Sequence, residues 1–153
     1  MRIHAKIALI VAAIALLVPL TSQNLSAQGK HPAYLHALSD LRDARAHLQE
    51  RPDHGALHAE EKAAVDEINH AIDEIKKAAI DDHKNINDHV HIDANVPWSG
   101  HLHQARDLLD KAHRDVAQEE DNPETRGLQA RVIAHIDRAH QYVDAALAIA
   151  DKH

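Results

Sequence analysis

The side chains best equipped for chemistry in this chain are its imidazoles. There are sixteen histidines and no cysteine, and every histidine except His4 falls after residue 30, mostly among aspartates and glutamates. Neutral imidazole suits late first-row divalent ions such as zinc, copper, nickel and cobalt, and carboxylates complete or orient such sites. The densest group is His83, His89, His91 and Asp93, followed closely by His101 and His103. Within His89-Val90-His91-Ile92-Asp93, an extended backbone turns alternate side chains the same way and presents two imidazoles and a carboxylate together. With His36, these residues form the expected site for zinc, copper or nickel. A smaller group, His47, Asp53, His54 and His58, surrounds another turn.

Other spacings point to other sites. Glu67 to His70, Asp110 to His113 and Asp137 to His140 have the three-residue step with which helical bundles hold paired metals. Glu67, His70 and Asp137 point away from the apolar stripes of their helices, which argues against an inward-facing di-metal centre. His135 lies near the middle of one apolar stripe and His113 at the edge of another, so these two are expected to meet inside the fold. Haem attachment lacks its Cys-x-x-Cys-His motif, and the single methionine is Met1. No glycine-rich phosphate loop marks a nucleotide site. Ser39 and Ser99 have no nucleophile setting. The expected role is therefore binding without catalysis.

Four stretches with helical periodicity must position these groups. Tyr34, Leu38, Leu41 and Leu48 mark one at about 32–50. Leu57, Ala64, Val65, Ile68, Ile72, Ile75 and Ala79 mark a second at about 56–81. Leu102, Ala105, Leu109, Ala112 and Val116 mark a third at about 101–120. Leu128, Val132, Ile136, Ala139, Val143, Ala146, Leu147 and Ala150 mark a fourth at about 124–151. Residues 82–100 lose the period and carry Asn85, Asn87, Asn95, Pro97 and Gly100, the signature of a long connection.

The expected fold is an all-α, up-down-up-down four-helix bundle. In that topology the 82–100 loop, the start of the first helix and the end of the fourth share one end, which is what would gather the His36 to His103 group. His36, Asp40, Asp43 and His47 lie opposite their helix's apolar stripe and are expected to face solvent. The segments His36 to Asp43 and Val65 to Ile75 recur 67 and 68 residues later, as His103 to Asp110 and Ile133 to Val143. That pattern points to a duplicated helical hairpin.

Residues 1–27 read as an export signal. Arg2 and Lys6 precede the apolar run Ile7–Leu20, which is too short to span a bilayer, and Leu25-Ser26-Ala27 suits cleavage after Ala27. Removing Arg2 and Lys6 lowers Lys plus Arg from 17 to 15 against 24 Asp plus Glu, leaving residues 28–153 with a net charge of −9. Such a surface repels nucleic acid and anionic lipid and favours cations. The expected location is periplasmic or secreted, with no membrane anchor after cleavage. No protein partner is legible.

Tyr34-Leu35-His36-Ala37-Leu38-Ser39-Asp40-Leu41-Arg42-Asp43-Ala44-Arg45 and Glu74-Ile75-Lys76-Lys77-Ala78-Ala79-Ile80-Asp81-Asp82 resemble segments of an uncharacterised family of small exported bacterial helical proteins. The resemblance extends over most of residues 28–153. It implies an extracytoplasmic helical bundle and brings neither an activity nor a ligand. The alternative to metal binding is a structural or interaction bundle whose histidines give solubility or a response to pH, since imidazoles titrate near pH 6.5.

Overall fold

The computed structural model describes residues 31–50, 58–77, 87–119 and 125–152. Among them the chain is all helical, with α1 (Pro32–Gln49), α2 (Ala59–Lys77), α3 (Trp98–Gln118) and α4 (Leu128–Ala150). The expected export segment lies outside the described residues, as do Asp53, His54, His83 and His153. No described helix is long and apolar enough to cross a membrane.

Local chemistry sets the helix ends. Pro32 opens α1, where its fixed φ and missing N–H cost nothing. Glu61 reaches back from the first turn of α2 to accept the His58 backbone N–H at 3.0 Å, while Lys76 and Lys77 sit in the last turn, each charge complementing the helix dipole. Helix α3 starts at Trp98, earlier than the expected 101. Asp93 Oδ1 accepts both the backbone and side-chain N–H of Asn95 at 2.9 Å, and Val96 N–H donates to the Asp93 carbonyl at 3.1 Å. This Asp-centred turn delivers Pro97 to the N-cap of α3. Gly127 precedes α4 with φ +70°, a conformation that side chains disfavour.

The apolar stripes expected from periodicity form the core. Leu38, Leu41, Ile68, Ile72, Ile75, Leu102, Leu109, Val132 and Val143 are fully buried, and Ile136 is 1% exposed. Leu57 and Ala79 fall outside the described residues, and Ala150 is half-buried at the edge.

Helix order differs from the expectation. Along α1 and α3, His31 meets Glu119, Asp40 meets Lys111 and His47 meets His101, so these helices run in opposite directions side by side. Along α2 and α4, Glu74 meets Arg131 and Glu67 meets Arg138, again in opposite directions. Arg106–Asp144 and Asp110–His140 pair α3 with α4 in the same manner. The packed pairs are α1–α3, α2–α4, α3–α4 and, more lightly, α1–α2, whereas the backbones of α2 and α3, like those of α1 and α4, do not approach each other. Helices α2 and α3 meet through side chains, where Trp98 Nε1 donates to Glu61 Oε1 at 3.1 Å. It follows that α1 and α4 share one direction and α2 and α3 the other. An up-down-up-down bundle needs α2 beside α3. Here α3 begins at the end of the bundle opposite to where α2 stops, and the described part of the connection, residues 87–97, runs beside α1 before α3 begins.

That path changes α1. From Asp40 to Leu48 every residue of α1 is buried. Residues 88–90 lie against it: Arg42 Nε donates to the Asp88 carbonyl at 3.1 Å, and Val90 N–H donates to Asp43 Oδ1 at 3.0 Å. Arg45 Nη1 donates to Asn69 Oδ1 on α2 at 2.8 Å. Of the stripe expected to face solvent, only His36 does; Asp40, Asp43 and His47 are 4%, 8% and 8% exposed. Burial raises the Asp40 carboxyl above its ordinary range, despite the opposing hydrogen bond from Lys111 Nζ at 2.8 Å.

Candidate metal centre between α2 and α4

Glu67 and His70 stand three residues apart on one face of α2, and His135 faces them from α4. One ligand atom from each residue falls within 4.8 Å of the others, the only such trio among the described residues. His135 Nδ1 lies 2.6 Å from Glu67 Oε2, and the His70 and His135 rings are 5.2 Å apart between centroids. Glu67 and His135 keep about a fifth of their side-chain surface exposed, while His70 is open to solvent.

A fourth side chain completes the cluster. Arg138 Nε lies 3.0 Å from Glu67 Oε2, and its Nη2 is 2.7 Å from His135 Nδ1. One ring nitrogen cannot donate to the carboxylate and accept from the guanidinium at once, so the proton on Nδ1 decides which contact is a hydrogen bond. Burial pushes the Glu67 carboxyl up, but hydrogen bonds from His135 and Arg138 outweigh it and hold the group below the usual carboxylate range. Glu67 is therefore an anion at neutral pH. Two imidazoles and one carboxylate make a donor set suited to zinc and its neighbours, with a coordination position left for solvent. Zinc bonds of about 2.0–2.1 Å at tetrahedral angles place ligand atoms about 3.3 Å apart, so Glu67 Oε2 and His135 Nδ1 would open by about 0.7 Å around an ion.

The residues expected at the loop site are dispersed. His36 lies near the start of α1 and His101 near the start of α3. Since α1 and α3 run oppositely, His101 meets His47 rather than His36, which stands eleven residues, or about 16 Å of helix, away. His91 and His103 are exposed. His89 is also exposed and turns Nδ1 onto its own neighbour, 2.6 Å from the Val90 carbonyl. Asp93 is spent on the turn before α3, and its two hydrogen bonds from Asn95 lower its carboxyl below the usual range. His83 lies outside the described residues. The expected meeting of His113 with His135 does not occur: His113 faces Asp137, and His135 faces α2. The two histidines sit on different flanks of the α4 interface.

His47 and His101 form a separate buried pair, 8% and 0% exposed, with Nδ1 atoms 3.2 Å apart. One ring donates and the other accepts, and His101 Nε2 has no hydrogen-bond partner among the described residues. Burial, then the neighbouring His101, lowers the His47 pKa below 6.5, with Asp43 opposing and His89 adding to the shift. Above about pH 7 this group is neutral both folded and unfolded. As pH falls through 6.5, the unfolded chain takes up a proton that the folded chain refuses. Stability is therefore lost downward from 6.5 until the folded pKa is reached, at up to about 1.4 kcal/mol per pH unit. Asp40 acts oppositely at lower pH, because its raised folded pKa returns stability as pH falls toward 3.8. Urea midpoints at pH 7.5 and 5.5 are expected to differ less in His47→Gln than in the parent chain. Equal differences would remove His47 as the source.

No family model matches the chain, and no curated protein or solved structure matches it either.

Proposed function

We propose that this chain is an exported, non-catalytic helical bundle that binds divalent transition-metal ions in exchangeable form, as a buffer or carrier, through Glu67, His70 and His135. The observation that carries the reading is the approach of three ligand atoms from two helices to within 4.8 Å. Acidic residues outnumber basic ones 24 to 17, which favours cations near the surface. Export rests on the pattern of residues 1–27 and on the resemblance of residues 34–45 and 74–82 to small exported helical proteins. A duplicated hairpin belongs to the same reading. The 68-residue offset makes Glu67 equivalent to His135 and His70 equivalent to Arg138, and these are the side chains that converge at the site.

Arg138 gives the site its exchangeable character. Its guanidinium holds Glu67 in place of an ion, so metal entry must displace it. A hydrogen bond between charged groups contributes about 1.5–3 kcal/mol, less where solvent reaches the pair, as it does at Arg138. Calorimetric titration of the tag-free chain with zinc, copper and nickel near neutral pH is expected to give saturable binding. In Arg138→Gln that binding is expected to be about tenfold tighter. Uptake that never saturates, or unchanged affinity in Arg138→Gln, would leave Glu67, Arg138 and His135 as an ion-pair network that only joins α2 to α4.

A further inference from the structure

On the other flank of α4, two Asp-x-x-His pairs face each other: Asp110 and His113 on α3, Asp137 and His140 on α4. With Gln141 they line one open groove of about 360 Å³. Because α3 and α4 run oppositely, each aspartate meets the histidine of the other helix. Asp110 Oδ1 lies 3.2 Å from His140 Nε2, and Asp137 Oδ1 lies 3.5 Å from His113 Nε2. Within each pair the spacing is close to the roughly 3.3 Å that separates neighbouring ligand atoms around a tetrahedral zinc ion. No three of the four groups bring ligand atoms within 4.8 Å of one another, so an ion would have to draw the two pairs together.

The second ring nitrogen of His140 supplies an independent observation. His140 Nδ1 lies 3.2 Å from Asp144 Oδ2, and Asp144 Oδ1 lies 2.8 Å from Arg106 Nε, an ion pair outside hydrogen-bond geometry. A carboxylate that grips one imidazole nitrogen while the other points into a site is how proteins orient ligating histidines. Among the described residues, no lysine or arginine lines the groove, so no internal cation neutralises Asp110 and Asp137. The α2–α4 cluster differs here, since Arg138 occupies Glu67.

We infer that this groove is a second divalent transition-metal site, with His113, His140, Asp110 and Asp137 as ligands and with Asp144 and Arg106 holding His140 in position. The inference does not depend on the α2–α4 site. Its side chains are between about a quarter and a half exposed, so ordering them on an ion carries an entropic cost. Binding is accordingly weaker and faster to exchange than at a buried centre.

Zinc titration of the parent chain, of His113→Ala/His140→Ala and of His135→Ala tests this. The parent is expected to take two equivalents and each variant one, with helix content by circular dichroism unchanged because the altered groups lie at the surface. Asp110→Asn/Asp137→Asn repeats the test with side-chain shape preserved, and the same equivalent is expected to be lost. Full parental stoichiometry in both groove variants would overturn the inference. So would a parent that binds one ion, lost only in His135→Ala, which leaves the α2–α4 site standing. A single ion lost only in the groove variants would support the groove and sink the α2–α4 reading.

Discussion

Replacing His135 by alanine is expected to weaken zinc binding between α2 and α4 by more than about a hundredfold, since a direct ligand should count for more than the 10- to 100-fold typical of supporting residues. The loss is also structural in origin. Without the imidazole, Glu67 keeps only Arg138, so the carboxylate remains paired with a cation and less available to an ion. His70 alone cannot compensate, because it is exposed and stands on the same helix as Glu67. Folding stability should change little: His135 is about a fifth exposed, and its contacts are polar and at the rim of the helix pair. Calorimetry with zinc, read against urea unfolding of the same variant, checks both statements. A variant that binds zinc as the parent does would remove His135 from the ligand set, and one that fails to fold would show that the ring is a packing element instead.

Much of the fold was legible because the apolar period is strong. The residues of α2, α3 and α4 that recur every three or four positions are the residues that are buried, and helix identity followed directly from them. The helix order was not legible. Periodicity says which face of a helix is apolar but not which helix will cover it, and a long connection permits either a tight return beside the previous helix or a run back along the bundle. The burial of α1 carried a sequence signal that is clear only with hindsight. Asp40 and Asp43 read as part of a solvated stripe, yet each meets a polar group supplied by a neighbour, as do Arg42 and Arg45 beside them.

The same ambiguity hid the α2–α4 cluster. In an up-down-up-down bundle, α2 and α4 sit diagonally, and no surface seam joins them. Glu67 and His70 then appear stranded beside the apolar stripe, and His135 appears buried with His113. Once α2 and α4 are neighbours, the flank of one stripe faces the flank of the other, and residues just off the core axis meet across the seam. The Glu-x-x-His spacing was visible, but its partner was not. By contrast, His89, His91 and His103 stand out by density, and His89 and His91 also by alternate spacing, but neither brings side chains together when the backbone leaves them facing solvent.

Ile136 follows His135 in sequence, yet truncating it to alanine is expected to have a very different effect. One residue along a helix turns the side chain by about 100°, from the rim of the α2–α4 seam into the core. Ile136 is 1% exposed and belongs to the same core cluster as Ile68 and Val132. Deleting its buried methyl and methylene groups should cost about 2–5 kcal/mol, through lost transfer energy and the cavity that remains. The urea midpoint of Ile136→Ala should fall accordingly, while the zinc affinity of the folded fraction stays near that of the parent. Zinc at about a hundred times the dissociation constant returns about 2.7 kcal/mol to any chain that binds it only when folded. Ile136→Ala should therefore recover much of its stability on adding zinc, and His135→Ala should recover less because its α2–α4 site is gone. A loss below about 1 kcal/mol in Ile136→Ala, outside the 2–5 kcal/mol range of such truncations, would contradict the close packing of α4 described above.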